Sequence, residues 1–227
     1  MTQEQNYAIA IDGPAGAGKS TLAKALARDL GLVYVDTGAI YRTVGYSALR
    51  CGVDVKNAEQ VTAMLKDIKV DMKYHADGLQ HMFLNGEDVT EQIRQPEVSL
   101  SASAVSAYPA VRAFLMEMQR DMARRHSVIM DGRDIGTVVL PHAEVKIYLT
   151  AAPEARARRR CLELEERGIP EPYEKVLQEI QTRDYDDSHR AVAPLRPAED
   201  AVEVDTTDLT FEESKAVLLQ LIEERIG

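Results

Sequence analysis

A short segment rich in glycine, with a lysine and a serine at its end, offers the clearest chemistry in this chain. Gly13 to Ser20 reads GPAGAGKS and fits the pattern GxxxxGK[ST] of a phosphate-binding loop, the P-loop. Glycines let successive backbone N–H groups turn toward phosphate oxygens, and a following helix points its positive end at them. Lys19 adds a mobile positive charge, and Ser20 adds a hydroxyl that suits Mg²⁺. The segment predicts a nucleotide site, with an accidental glycine-rich turn as the alternative.

The elements around this loop match what a P-loop requires. The apolar run Tyr7 to Asp12 precedes it, and Ser20 to Leu30 follows with leucines spaced by four residues, which predicts a strand and then a helix. Gly31 is placed to end that helix, and Leu32 to Asp36 returns as a second strand. Further apolar runs precede helical patterns at 127–130, 145–150 and 201–205. Alternating strands and helices predict an α/β fold with a parallel sheet flanked by helices.

Two local patterns add detail to this fold. Residues 69–84 alternate in polarity on both sides of a turn at Ala76, Asp77 and Gly78, which predicts an inserted β-hairpin. Thr210 and Glu213 have the spacing of a capping box, which predicts that the last helix begins there.

Arginines at loop and helix positions indicate which reaction the loop serves. The segment from Pro153 to Arg167 is a basic helix, in which Arg156, Arg159 and Arg160 are spaced to share one face. Scattered arginines can clamp a transferring phosphoryl group from several sides. No NKxD tetrapeptide for reading guanine is present. The pattern favours a small kinase with two phosphate-bearing substrates, although a solvated helix face next to Glu163, Glu165 and Glu166 is the alternative for the arginines.

Composition restricts the setting and the partners. The formal net charge of -10 and a pI of about 5.1 argue against nonspecific nucleic-acid binding, so an anion site must be built locally. Cys51 and Cys161 are far apart, which suggests neither a disulfide framework nor a zinc site. The polar start of the chain and the lack of a long apolar run predict no export signal and no membrane span. We expect a cytoplasmic protein without nucleic-acid or membrane partners, and its length favours a monomer.

Three further segments carry a resemblance to a known family. They are Asp36 to Arg42 (DTGAIYR), Asp131 to Thr137 (DGRDIGT) and Arg183 to Arg190 (RDYDDSHR). Together with the P-loop and in this order, they resemble the motifs of bacterial-type cytidylate kinases over essentially the whole chain. The resemblance implies ATP-dependent phosphorylation of CMP or dCMP, with Mg²⁺ as cofactor.

The resemblance also implies roles for individual residues on the acceptor side. The family's phosphate contacts fall on Thr37, Arg42, Arg133 and Arg190, its cytosine contacts on Ser103, Arg112 and Asp134, and its sugar contacts on Arg183 and Asp187. A carboxylate is complementary to the exocyclic amine of cytosine and would meet an acceptor in uracil. On a helix, Arg183, Asp187 and Arg190 differ by four and seven residues, so we expect them to share one face.

On the donor side, the resemblance makes 153–172 a lid that closes over ATP. Two of its arginines should reach the γ-phosphate, and we assign Arg159 and Arg160, with Lys19, Arg133 and Arg190, to catalysis. Asp131 ends a strand and either reaches Mg²⁺ through water, beside Ser20, or caps the turn before Gly132. The expected ATP contacts are Gly13, Pro14, Ala15, Gly16, Ala17, Gly18, Lys19, Ser20 and Thr21.

We therefore expect a core of residues 1–36, 113–152 and 173–227, with a nucleoside-monophosphate region at 37–112 that contains the hairpin. The nearest rival is a P-loop kinase for another acceptor, such as UMP or AMP, which an acceptor screen would separate. A rival of another class is an ATP-binding switch module, which predicts slow hydrolysis that no acceptor accelerates.

Overall fold

The computed structural model describes residues 6–75 and 78–226 of the 227-residue chain. The chain forms two units, the first made of Met1–Tyr34 and Ala123–Gly227 and the second of Val35–Met122. Each unit has its own sheet and its own helices, and they are described in turn.

A five-stranded sheet with the order β2-β6-β1-β7-β8 forms the centre of the first unit. Its strands are β1 (Ala8–Asp12), β2 (Val33–Asp36), β6 (Val128–Gly132), β7 (Val145–Thr150) and β8 (Val202–Asp205). The last two residues of β2 are counted with the second unit. The pairs β1–β6, β1–β7 and β7–β8 are parallel, and Asp12 lies opposite Gly132 in the register of β1 and β6. The predicted α/β fold with a parallel sheet flanked by helices is confirmed.

The helices of the first unit are α1 (Lys19–Leu30), α6 (Pro153–Glu166), α7 (Tyr173–His189) and α8 (Phe211–Ile226). Every residue of β1 is buried, as expected for a central strand of a parallel sheet covered on both faces. Leu22 and Leu26 of α1 and Leu218 and Ile222 of α8 pack into the core that β1 and β7 share. The four-residue spacing in the sequence therefore marks the buried stripe of α1.

Both predicted helix boundaries are confirmed by their hydrogen bonds. Gly31 ends α1 in the left-handed conformation, with φ of 67°, and its N–H contacts the carbonyls of Ala27 and Arg28. At α8, the N–H of Thr210 donates to the Glu213 carboxylate, and the N–H of Glu213 donates to Thr210 Oγ1. This is the reciprocal pairing of a capping box.

Helices α6 and α7 form a hairpin with a small core of its own. Ala157 and Leu164 of α6 pack against Val176 and Ile180 of α7. Pro153 is the first residue of α6, where its missing N–H costs nothing. The pairing fixes α7 relative to α6.

The second unit combines a three-stranded antiparallel sheet with helices. The elements are α2 (Thr37–Arg50), α3 (Ala58–Met64), β3 (Val70–Tyr74), β4 (Gln80–Leu84), β5 (Glu87–Asp88), α4 (Pro96–Ser106) and α5 (Pro109–Arg125), the last of which crosses into the first unit. The predicted hairpin is confirmed as β3 and β4, while β5 extends it beyond what the alternation indicated. Of the predicted turn, Ala76 and Asp77 lie outside the described residues.

Helices α2 and α4 cross at Gly45. A Cβ on Gly45 would lie 2.7 Å from the backbone nitrogen of Ala102 and 3.0 Å from the carbonyl carbon of Ser101. Backbone atoms in the middle of a helix have little room to move away, so glycine permits this close approach.

We predict that Gly45→Ala destabilises the protein by about 1–2 kcal/mol, because overpacking against backbone outweighs the helix propensity of about 1 kcal/mol that alanine adds. Urea unfolding measures this difference. Leu49→Ala is the control, since Leu49 lies on the same helix but is 41% exposed. A Gly45→Ala variant as stable as the parent would show that the crossing tolerates the methyl group.

Candidate active site

The P-loop leaves β1 at Asp12 and enters α1 at Lys19. Gly13, Gly16 and Gly18 have backbone φ angles of 150°, 75° and 86°, which residues with a side chain rarely adopt. A Cβ on Gly13 would lie 2.0 Å from the carbonyl oxygen of Leu149 in β7. Glycine is therefore required by the backbone path of the loop, which ends at the N-terminus of α1 as an anion-binding loop should.

Lys19 lies inside this loop and is only 5% exposed. Its ammonium donates a hydrogen bond of 2.7 Å to the carbonyl oxygen of Pro14. Burial, and next the positive charge of Arg133, hold the pKa of Lys19 well below its ordinary value, although Asp131 opposes them. A site that gathers cations in a buried place favours a polyanion such as a nucleotide phosphate chain.

Ser20 and Asp131 meet beside the loop. Ser20 Oγ donates to Asp131 Oδ2 over 2.8 Å, and the hydroxyl of Tyr34 donates to Asp131 Oδ1 over 2.9 Å. A hydroxyl next to a carboxylate is the oxygen donor set that Mg²⁺ prefers. The residues therefore fit the expected cation. Sequence reasoning missed Tyr34, because nothing local relates it to a residue 97 positions away.

Asp12 is a second buried carboxylate, and sequence reasoning assigned it no role. It accepts hydrogen bonds from the backbone N–H groups of Ile135 and Gly136, over 2.8 and 2.7 Å. Burial raises the pKa of Asp12 to about 6, and these two hydrogen bonds limit the rise. Asp12 thus fixes the segment that follows Arg133 and Asp134. The sequence signal for this role was an acidic residue at the end of a strand predicted to be buried.

The expected acceptor contacts of the first unit form three ion pairs, two of which share Asp187. Arg133 Nε donates to Asp187 Oδ2 over 2.8 Å, and Arg190 Nη2 lies 3.3 Å from Asp134 Oδ1. Arg183 Nε lies 4.0 Å from the same oxygen of Asp187. Burial alone would raise the pKa of Asp187, but the positive charges of Arg133, Arg183 and Arg190 outweigh it and hold the pKa below its ordinary value. The structure therefore brings these five residues together.

The expectation that Arg190 shares a helical face with Arg183 and Asp187 is wrong. Helix α7 ends at His189, and Arg190 has extended backbone angles, φ −62° and ψ 142°. The chain turns back so that the N–H of Leu195 donates to the Asp187 carbonyl in place of a further helical turn. Arg190 reaches Asp134 from this turn, where its Nε also donates to the carbonyl of Ala193.

The remaining expected acceptor contacts, Thr37, Arg42, Ser103 and Arg112, lie in the second unit. Asp36 caps α2 by accepting from the N–H of Ala39, and its other oxygen accepts from Arg42 Nη2 over 2.7 Å. Thr37 is buried at the first position of α2, and Ser103 lies on α4.

Arg112 is buried in α5, with its guanidinium carbon 5.9 Å from the ring centroid of Tyr41. The ring stabilises the cation without neutralising it. Sequence reasoning did not identify this contact with Tyr41.

The three arginines of α6 reach three different places. Arg156 is buried and contacts the P-loop through the carbonyl of Ala15. Arg159 donates to the carbonyl of Thr206 in the loop after β8, and Arg160 pairs with Glu163 on its own helix over 2.6 Å. The helical spacing put them on one face, but the long side chains diverge.

Three other polar side chains converge on the sheet of the second unit. His81 Nδ1 lies 2.9 Å from Asp88 Oδ2, and the rings of His75 and His81 stack with centroids 3.9 Å apart and an interplanar angle of 8°. A metal ion lies close to the plane of each imidazole that binds it. Parallel stacked rings do not allow this for both histidines, so the two rings as they lie form a stacking contact.

Across residues 6–75 and 78–226, no helix combines the length and the apolar character that crossing a membrane requires.

Comparison with known proteins gives a match along nearly the whole chain. Residues 9–224 match the family model described as cytidylate kinase. A cytidylate kinase of Anoxybacillus flavithermus is 51% identical over 98% of this chain and 99% of its own length. One of Geobacillus thermodenitrificans is also 51% identical, over 99% of this chain and 100% of its own.

Among solved structures, an uncharacterized protein from Eubacterium ventriosum aligns with a TM-score of 0.51 and 11% identity, covering 97% of this chain and 100% of that chain. At this level of identity the likeness concerns the fold alone.

The raised pKa of Asp12 predicts a distinctive pH dependence of stability. A carboxyl whose pKa rises from 3.8 to about 6 on folding holds its proton more tightly in the folded state. Its contribution to the free energy of unfolding is therefore largest below the lower value and falls as the pH rises through the higher one, by roughly 3 kcal/mol in total. Urea unfolding from pH 4 to pH 7 should show the parent losing stability relative to Asp12→Asn as the pH rises.

Asp205, at the end of β8, is the matched control with the opposite sign. The hydroxyl and the N–H of Thr207 lower the pKa of Asp205. The parent should therefore lose stability relative to Asp205→Asn as the pH falls toward and below the ordinary carboxyl pKa. Parallel curves for the parent and Asp12→Asn would contradict the role assigned to burial of Asp12.

Proposed function

We propose, because the chain belongs to the cytidylate kinase family, that it transfers the γ-phosphoryl group of ATP to CMP or dCMP and releases ADP with CDP or dCDP. The observation that carries this proposal is the family match over residues 9–224, which includes the P-loop and its buried lysine.

The donor site consists of the P-loop and the start of α1. The residues from Gly13 to Thr21 hold the phosphates of ATP, with Lys19 placed among them by its contact with Pro14. Ser20 and Asp131 hold Mg²⁺, which when bound neutralises charge on the phosphate oxygens. The hydrogen bond between Ser20 and Asp131 supports this assignment, because it keeps both oxygens at the loop.

The acceptor residues are proposed unit by unit. In the first unit, Arg133 and Arg190 bind the phosphate of CMP, Asp134 binds cytosine, and Arg183 and Asp187 bind the sugar. In the second unit, Thr37 and Arg42 bind the phosphate, while Ser103 and Arg112 bind cytosine. The contacts that support this are the ion pairs of Arg133, Arg190 and Arg42, which keep each guanidinium oriented by a carboxylate.

The reaction then needs no dedicated base. The attacking oxygen of CMP is already anionic, so the protein contributes positioning and stabilisation of charge. Lys19, Arg133 and Arg190 supply fixed positive charge. Arg159 and Arg160 supply the rest from the lid, residues 153–172, and each must leave its present partner, Thr206 or Glu163, to reach the transferring group.

We also propose a division of the chain into a core and an acceptor-binding region. The core consists of residues 1–36, 113–152 and 173–227, and residues 37–112 bind the acceptor. The structural boundary after Tyr34 supports the first limit of this division, whereas the boundary after Met122 places residues 113–122 with the second unit and not with the core. We further propose a cytoplasmic monomer without membrane or nucleic-acid partners. The net charge of -10 supports the last of these, because it repels a polyanion.

An acceptor screen tests the proposed function. ADP release is measured with ATP and Mg²⁺ while CMP, dCMP, UMP, AMP, GMP or no acceptor is added at equal concentration. We expect rapid release with CMP and dCMP, weak release with UMP, and background otherwise. Lys19→Ala should lower turnover about 100- to 1000-fold while CMP binding persists, because it removes a charge that acts on the transferring phosphoryl group.

The other outcomes separate the rivals. Preference for AMP or UMP would keep the kinase and discard the cytosine assignments. Slow release that no acceptor accelerates would favour an ATP-dependent switch.

We predict that Asp134→Asn lowers the preference for CMP over UMP by about 5- to 150-fold, because an amide can donate to the O4 of uracil where the carboxylate cannot. The readout is the ratio of kcat/KM for the two acceptors. The ratio is needed because Asp134 also holds Arg190, so the variant weakens phosphate binding for both substrates.

Arg42→Gln is the control for this experiment, because Arg42 is also proposed to bind the phosphate but pairs with Asp36 and not with Asp134. It should lower kcat/KM for CMP and for UMP by the same factor and leave their ratio intact. An unchanged ratio in Asp134→Asn would remove Asp134 from the cytosine site.

A further inference from the structure

Arg156 is the least exposed arginine of α6, with 3% of its surface accessible, and it lies directly against the P-loop. A Cβ on Gly16 would lie at van der Waals distance, 3.4 Å, from the Cβ of Arg156, so the base of the side chain lies beside the loop. Arg156 therefore occupies a different place from a lid residue that closes over a substrate.

All three nitrogens of the guanidinium have acceptors, and each acceptor is on a different element. Nε donates to the carbonyl of Ala151, just before α6, over 2.8 Å. Nη1 donates to the carbonyl of Ala15 in the P-loop over 3.0 Å, and Nη2 donates to Asp184 Oδ2 in α7 over 2.6 Å. The planar fork of arginine suits such a bridge, whereas lysine would supply a single point charge.

Asp184 connects this bridge to the proposed acceptor residues. It is the neighbour of Arg183 on α7 and precedes Asp187 by three residues, one turn of the helix. Asp187 in turn pairs with Arg133, at the end of β6. A continuous series of contacts thus leads from the Ala15 carbonyl through Arg156 and α7 to the side chains proposed to hold the sugar and phosphate of CMP.

We infer that Arg156 is a positioning residue that, through Asp184, couples the P-loop to α7, so that CMP bound at α7 strengthens the binding of ATP at the loop. The inference rests on the proposed function, because it takes CMP as the ligand of Arg183 and Asp187. When the sugar binds and α7 moves, Asp184 moves with it. Arg156 is hydrogen-bonded to Asp184 and to Ala15, so the position of the Ala15 carbonyl changes as well. Coupling is reciprocal, so ATP strengthens CMP binding by the same factor.

If the ion pair of Arg156 and Asp184 had a purely structural role, its loss would not change the coupling between CMP and ATP binding. A buried ion pair that only holds α7 in place would change the melting temperature and the affinities for both nucleotides, but each affinity would change independently of the other ligand. The ratio between the ATP affinities with and without CMP separates the two roles.

The experiment measures that ratio by calorimetry. A non-hydrolysable ATP analogue with Mg²⁺ is titrated into the full chain, without CMP and with saturating CMP. In the parent, CMP should tighten binding of the analogue by about 5-fold or more. In Asp184→Asn and in Arg156→Lys the ratio should fall to about 1, because both variants break the bridge.

Lys175→Gln is the matched control, since it removes an exposed ion pair with Glu171 near the start of the same α7. It should keep the coupling of the parent. Melting temperatures of all variants identify those that fold.

Hydrogen exchange on the parent provides a test that needs no variant. CMP alone should slow exchange in the peptide that contains residues 13–18. Unchanged exchange there overturns the inference.

The remaining outcomes are distinct from one another. A folded Asp184→Asn with the coupling ratio of the parent overturns the inference and leaves the kinase assignment intact, as does a parent that releases ADP with CMP but shows no coupling. A parent that releases no ADP with CMP overturns the proposed function and this inference with it.

Discussion

The concentration of positive charge around the P-loop is the constraint on which the rest of the first unit depends. The chain carries a net charge of -10, yet Lys19 is buried within the influence of Arg133 and Arg183, and its pKa is lowered by burial and then by Arg133. Like charges in a buried place repel one another, so such a cluster persists only where carboxylates offset it. Asp131 and Asp187 do so here, and each also orients a hydroxyl or a guanidinium.

The backbone around this cluster is held by buried charged groups of a second kind. Asp12 accepts hydrogen bonds from the N–H groups of Ile135 and Gly136, and Arg156 donates one to the carbonyl of Ala15. Neither side chain is assigned to a substrate, and each is buried at a cost that its hydrogen bonds must repay. Together they fix the backbone of the P-loop and of the segment after β6. The charged side chains proposed to act on substrates are therefore held on a rigid backbone.

The parts of this design that were predictable from the sequence are those whose signal is local. Consecutive residues define the P-loop, the Thr210 cap and the glycine at the end of α1, and the structure has the cap and the glycine where the sequence placed them. The missed partnerships join distant positions, such as Tyr34 with Asp131 and Asp12 with Ile135. Spacing along a helix does not reveal them, because each depends on which strands become neighbours. The prediction that Arg190 lies on the same helical face as Arg183 and Asp187 was wrong for the same reason. The N–H of Leu195 donates to the carbonyl of Asp187, and the helix ends before Arg190.

The arginines of α6 show how far a helical pattern can be trusted. Positions i, i+3 and i+4 fix where the Cβ atoms project, and Arg156, Arg159 and Arg160 do begin on one face. Each side chain then extends to the nearest acceptor, which is a P-loop carbonyl, the carbonyl of Thr206, or Glu163. Arg156 is buried, has three acceptors and is held in place, whereas Arg160 pairs with an exposed residue of its own helix, Glu163. One basic helix thus supplies both an anchor for the loop and charge that is able to move, and burial distinguishes the two.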